Sequence, residues 1–173
     1  MTNLSTNCSK HSQPLNPLAR GSGCIKPMML ILITILIFSR GIASAFCFEE
    51  AGRRYSISPH LFKAIARVES NMQPHAINHN KNGSVDYCHM QINSYWKKHL
   101  KERWQYLNDP CYCTMVGAWI LKLCINRYGY NPDALVCYHT GKSLPELSPA
   151  RRREAVTYLG KINHFIKTFG NLR

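Results

Sequence analysis

Apolar residues recur at helical spacing in several stretches of the chain, each bounded by residues that start or stop a helix. Ser58-Pro59 joins an N-cap residue to a proline in the first turn, and Leu61, Phe62, Ile65 and Val68 follow on one face, which predicts a helix ending near Glu69. Asp109-Pro110 punctuates the chain ahead of a longer helix, with Val116, Trp119, Ile120, Leu123 and Tyr128 as its stripe and Gly129 as its stop. This is expected to be the buried central helix. A shorter helix starts near Asn131-Pro132 and carries Ala134, Leu135 and Tyr138. A last one starts at Ser148-Pro149, with Val156, Leu159, Ile162 and Ile166 on one face. Residues 71–86 are rich in Asn, Pro, Gly and His and read as a long ordered loop. No stretch alternates for long enough to predict a strand, and there is no internal repeat. The pattern predicts a mainly α domain.

One apolar run does not fit a globular helix. Residues 28–38, Met-Met-Leu-Ile-Leu-Ile-Thr-Ile-Leu-Ile-Phe, follow Lys26 and lead to Ala43-Ser44-Ala45, a small-residue site for signal peptidase. The run is shorter than the roughly 20 residues a membrane span needs. Residues 1–45 are therefore expected to be a secretory signal peptide, with an over-long lead-in, and residues 46–173 a single domain in an exported protein. That length suits one compact domain and no second catalytic one.

Composition then narrows the partners. Past residue 45 there are 18 Lys and Arg against 9 Asp and Glu, a net charge of +9, so an anionic partner is expected. Export argues against nucleic acid and leaves acidic lipid or peptidoglycan, whose stem peptides carry free carboxylates. The same region holds six cysteines, an even number that in an exported domain predicts disulfides with 15 possible connectivities. His75 and His79 have the spacing of a zinc pair but flank a non-helical segment, and Cys111 and Cys113 do not form a zinc knuckle, so neither metal nor cofactor is expected. Arg151-Arg152-Arg153 reads as a solvated face, with an anionic docking patch as the alternative.

Three segments carry candidate chemistry: Val68-Glu69-Ser70, Met90-Gln91-Ile92-Asn93-Ser94, and Tyr138-His139-Thr140-Gly141. A carboxylate at a helix C-terminal end opposes the helix dipole, which raises the cost of ionising it. In this order and spacing, with Ala64-Ile65-Ala66, Asn108-Asp109-Pro110-Cys111 and Val116-Gly117-Ala118 around them, the segments resemble the lytic transglycosylase (SLT) domain of the goose-type lysozyme fold. The likeness covers residues 46 to 162 and is to the small single-domain form that accompanies type III and type IV secretion and conjugation machines.

The resemblance implies a mainly α, lysozyme-like single domain in the periplasm, monomeric, that cleaves peptidoglycan between N-acetylmuramic acid and N-acetylglucosamine and leaves a 1,6-anhydro end. It makes Glu69 the catalytic acid and then base. Gln91 and Asn93 are expected to hydrogen-bond the sugars, Met90 to pack under a ring and Ser70 to orient Glu69. Tyr138 is expected to hold Glu69 or a substrate oxygen, and His139 to face the substrate. The resemblance also implies a Cys47–Cys111 disulfide. Cys113 and Cys124, 11 residues apart on one helix, would lie roughly 16 Å apart, beyond the roughly 7 Å limit for a bridge. Cys88 and Cys137 replace small residues in two cleft motifs and are expected to bridge. Cys88, His89, Val136, Cys137 and His139 depart from the family pattern and leave two alternatives open, a hydrolytic muramidase of the same fold and a peptidoglycan-binding assembly factor whose catalysis has lapsed.

Overall fold

The computed structural model describes residues 46–170. The expected signal peptide, residues 1–45, lies outside the described residues. Among the described residues, no helix is long and apolar enough to cross a membrane.

Six α-helices and a small sheet make up the domain. They are α1 (Phe48–Tyr55), α2 (Pro59–Ser70), α3 (Lys97–Leu100), α4 (Pro110–Tyr128), α5 (Pro132–Thr140) and α6 (Pro149–Gly170), joined in places by short 3-10 turns. Proline stands in the first turn of α2, α4 and α5, where no intrahelical donor is lost. Asp109 and Asn131 cap α4 and α5 by accepting from the Tyr112 and Asp133 backbone N–H groups at 2.6 and 2.9 Å. Asn71 at φ 56° closes α2 and Gly141 at φ 76° closes α5, both in the left-handed region that lets a chain leave a helix.

The central helix α4 buries Val116, Ile120 and Leu121, whereas Leu123, placed in its stripe by the sequence pattern, is exposed. The last helix shows a similar offset. Its buried face is Ala155, Tyr158 and Ile162, and Val156 is left in solvent, because α6 meets α2 along that line and a stripe read one residue out of phase still has helical period. Phe62, Ile65, Met90, Ile92 and Leu121 form the fully buried centre of the core.

The segment expected to be a loop contains part of a three-stranded antiparallel sheet, β1 (Ile77–His79), β2 (Val85–Tyr87) and β3 (Ile92–Asn93). Asn78 pairs with Asp86, and Asp86 in turn with Asn93. Strands of two or three residues are too short to display an alternating period, so the sequence pattern could not show them. The turn between β1 and β2 closes with Gly83 at φ 80°.

The cysteines pair as Cys47–Cys111, Cys88–Cys113 and Cys124–Cys137. This corrects the expected Cys88–Cys137 bridge. Cys137 on α5 faces Cys124 on α4, with the two Cα atoms 5.7 Å apart, while Cys88 faces Cys113 in the first turns of α4 at 6.4 Å. Cys113 and Cys124 lie far apart on one helix and therefore serve different partners.

Candidate active site

Glu69 is the next-to-last residue of α2, its side chain only 13% exposed. It opens into a cleft of about 1250 Å³, which is also lined by Asp86, Gln91, Ile92, Asn93, Ser94, Tyr138 and His139. The cleft floor is the turn from Cys88 into β3. Cys88 stands at φ 60° and Gln91 at φ 49°, conformations that favour glycine. Cys88 occupies a position where the resembling family has glycine, and its disulfide to Cys113 ties the strained backbone to α4.

Close packing holds that floor in place. Met90 is fully buried, and a Cβ placed on Gly117 of α4 would come within 2.7 Å of its Cε and 3.0 Å of its Cβ. Only glycine at 117 lets α4 pass so near. This corrects the expected role of Met90, whose side chain has no surface to offer a sugar and supports the floor from beneath. Two further expected roles are also corrected. The Ser70 hydroxyl donates to the His89 carbonyl at 3.0 Å, not to Glu69, because it points from the end of α2 toward the floor. The Tyr138 hydroxyl donates to the Met90 carbonyl at 2.7 Å, joining α5 to the same turn. Ser70 and Tyr138 thus hold the floor from two helices.

Gln91 and Asn93 both line the cleft with their amides engaged. Gln91 Oε1 accepts from Asn78, and its Nε2 donates to the Cys88 carbonyl at 2.8 Å. Asn93 Nδ2 donates to Asp86 Oδ1 at 2.6 Å and its Oδ1 accepts from the Tyr95 backbone at 2.9 Å. The other Asp86 oxygen accepts from Asn80 at 2.8 Å, so both oxygens of this second carboxylate are occupied.

Glu69 itself lies among aromatic groups. His139 Nδ1 is 3.7 Å from its Oε1, and the His139 ring stacks on Tyr158, with centroids 4.2 Å apart and an interplanar angle of 10°. Tyr158, on α6, was not singled out by the sequence. Its place with Ala155 and Ile162 at helical spacing is the signal that marks it as inward-facing. The hydroxyl is buried and closes no full hydrogen bond. Its pKa is raised well above 10.0, first by burial, then by the Glu69 charge, by Tyr138 and by a loose polar approach to Glu69. The Tyr138 hydroxyl is likewise pushed up by burial and by the charges of Glu69 and Asp86. Both phenols remain neutral, Tyr138 donating to the Met90 carbonyl and Tyr158 lying next to Glu69.

His89 is fully buried behind the floor, edge-on to Phe46 and Phe48. Its Nε2 lies 2.8 Å from the Thr114 hydroxyl. That hydroxyl donates to the Pro110 carbonyl at 3.1 Å, so Nε2 carries the hydrogen and Nδ1 is left a buried lone pair without a partner. Burial lowers the His89 pKa from 6.5 to about 4. The sulfurs beside it are joined in the Cys88–Cys113 disulfide and are not thiolate ligands for a metal.

Comparison with known proteins agrees with this architecture. The pattern of the Transglycosylase SLT domain matches residues 46–153. The chain is 41% identical over 128 residues to "Invasion protein IagB" of Salmonella typhimurium, covering 72% of this chain and 79% of that one. It is 33% identical over 135 residues to "Protein IpgF" of Shigella flexneri, covering 76% and 86%. A "Peptidoglycan-binding-like protein" of Escherichia coli O157:H7 is 35% identical over 128 residues, covering 68% and 77%. With a mainly helical, lysozyme-like domain built around Glu69 and a family match over most of the described residues, this chain belongs to the Transglycosylase SLT domain family.

Proposed function

We propose that the protein is a peptidoglycan lytic transglycosylase with Glu69 as its acid and base. The observation that carries this reading is the largely buried Glu69 carboxyl, one of three in the cleft, of which Asp86 has both oxygens occupied by asparagine amides and Glu154 is exposed. Glycosidases that use water usually pair two working carboxylates. A single one suffices when the nucleophile belongs to the substrate.

The chemistry runs in two steps. Glu69, protonated, gives its proton to the glycosidic oxygen as the bond to C1 of N-acetylmuramic acid breaks, with the N-acetyl group assisting departure. The C6 hydroxyl oxygen then bonds to C1 and its proton passes to the Glu69 carboxylate, closing a 1,6-anhydro ring without water and restoring the acid. Tyr158 is suited to donate toward Glu69 while it is ionised. Gln91 and Asn93 are placed to exchange internal partners for sugar acetamido groups, and His139 to meet the substrate at the cleft wall.

The setting follows the same reasoning. Residues 1–45 are read as a signal peptide cleaved near Ala45, and the site of action as the periplasm. A role in opening the wall for a secretion or conjugation machine is supported by likeness to the small single-domain transglycosylases of such machines and by the invasion-protein name of the Salmonella relative. Incubating purified sacculi with the protein should release soluble glycan fragments, and Glu69→Gln should release none while keeping the same circular dichroism and melting temperature. Full release by the Gln variant would remove Glu69 from the mechanism. A binding-only reading is favoured by the altered residues Val136, Cys137 and His139 and by the "Peptidoglycan-binding-like" name. It predicts sedimentation with sacculi and no fragment release by the wild type.

A further inference from the structure

The cleft also carries positive charge that neutral sugar rings do not require. Arg127, in the last turn of α4, and Arg151, in the first turn of α6, both line it and both are exposed. Among the described residues the ion pairs are Lys63 with Glu49 and His139 with Glu69, so neither guanidinium has a carboxylate within 4.0 Å. Glu154, which faces the cleft from α6, is not paired with either at that distance.

Arg127 is preorganised. Its guanidinium lies over the Tyr128 ring, 4.9 Å from the centroid. The Tyr128 hydroxyl donates to Glu146 at 2.9 Å, and the same Glu146 oxygen accepts from the Ser143 backbone at 2.7 Å. These bonds all fall on one Glu146 oxygen, and Glu146 and Arg127 attract each other from beyond 4.0 Å without forming an ion pair. The Arg151-Arg152-Arg153 run is not one uniform face. Arg152 turns back to donate to the Pro145 and Leu147 carbonyls, and Arg151 is the member that reaches the cleft.

Arg127 also has a defined place along the cleft. Ile120, Leu123, Cys124 and Arg127 line the cleft from one side of α4, and Trp96 packs on Trp119 at 5.2 Å. At 1.5 Å per residue, Trp119 and Arg127 are about 12 Å apart along the helix. Arg127 therefore stands toward the end of the cleft away from Tyr95 and Trp96, Arg151 lines the same cleft from α6, and Lys81 lines it from the β1–β2 turn.

We propose that Arg127 and Arg151 form a subsite for the free carboxylates of the peptide stems carried by N-acetylmuramic acid, so that the cleft selects peptide-bearing glycan over stripped glycan. The proposal rests on the reading that the cleft takes peptidoglycan. The lactyl group of each muramic acid is amide-linked to a peptide with free carboxylates, and two guanidiniums from separate elements offer planar donor pairs suited to such groups.

The test compares fragment release from soluble peptide-bearing glycan with release from the same glycan after an amidase has removed the peptides. The wild type should favour the peptide-bearing form by about fivefold, as expected for two solvent-exposed charge pairs, and the preference should shrink as ionic strength rises. Arg127→Gln/Arg151→Gln should bring the ratio near one. Lys161→Gln/Lys167→Gln, which removes the same charge from exposed positions that do not line the cleft, should keep it. No preference in the wild type, a preference retained by the arginine variant, or equal loss in the lysine variant would overturn the subsite. If the wild type cleaves neither substrate, the wall-cutting reading has failed. The two glycans are then compared by equilibrium binding to the Glu69→Gln protein, where the same preference, lost with the arginines, supports the subsite and equal affinity overturns it.

Discussion

Glu69 draws its character from its immediate neighbours. Its side chain is 13% exposed at the end of α2, with His139 at 3.7 Å and the Tyr158 hydroxyl buried beside it. A buried hydroxyl that closes no full bond costs stability and is retained where it serves another purpose. Tyr158→Phe is accordingly expected to leave the melting temperature unchanged or slightly raised, while lowering kcat for glycan cleavage by about tenfold, the effect of losing one donor to a charged group. Loss of stability with full activity would show that the hydroxyl is structural. Glu69 was singled out in the sequence by the joint order and spacing of the motif segments, not by the Glu-Ser pair alone, and it lines the cleft. Tyr158 was not, since its meaning depends on α6 lying across α2, some 90 residues from Glu69. Ser70, Met90 and Tyr138 come together at the turn 88–91, but Ser70 and Met90 do not line the cleft and none of the three makes the contact expected of it. A sequence motif names residues without giving the direction in which each side chain points.

Among the elements, α4 acts as the strut of the site. It passes beneath the floor at Gly117, binds the floor covalently through Cys88–Cys113 and binds α5 through Cys124–Cys137. Gly117→Ala sets a methyl against the Cβ and Cε of Met90 and should destabilise the domain by about 1–3 kcal/mol in thermal or urea unfolding, with a matching loss of activity as the turn 88–91 shifts. Unchanged stability would mean that Met90 moves aside freely. Removing Cys124–Cys137 by double alanine substitution opens a loop of 13 residues and should cost about 3 kcal/mol. Because Tyr138 and His139 follow Cys137 directly, kcat should fall more than KM rises. A change in KM alone would place the bridge away from the chemistry. Helices α2, α4, α5 and α6 were legible from capping and apolar spacing, whereas α1 and α3 were not predicted. The sheet was not, being too short to show a period. Of the bridges, Cys47–Cys111 was expected from the family resemblance, whereas Cys88–Cys113 and Cys124–Cys137 were not, because they depend on how α4 packs against the turn 88–91 and against α5.

At the scale of the whole molecule, the core contains one titratable liability. His89 is fully buried with its pKa lowered to about 4 from 6.5. Between those values the unfolded chain binds more protons than the folded one, so stability is complete above about pH 6.5 and falls as the pH drops toward 4. The gap corresponds to roughly 3 kcal/mol. His89→Leu, which fills the space with an aliphatic side chain of the kind the resembling family has there, should flatten the fall in melting temperature between pH 7 and pH 4.5. Parallel curves for the two proteins would mean that His89 does not set the acid limit. The fold class was legible because capping, spacing and the motif segments all agreed on it. The basic character of residues 46–173 was equally plain, but the placing of Arg127 and Arg151 in one cleft was not, since they are 24 residues apart and line it from α4 and α6.

The central claim is that one carboxyl group breaks the glycan bond while the substrate's own C6 hydroxyl takes the place of water. Digesting sacculi in water enriched in oxygen-18 and weighing the fragments tests it most directly. The account predicts muramic acid ends one water lighter than reducing ends and free of the label. Reducing ends that carry oxygen-18 would contradict it, because the oxygen would then have come from water.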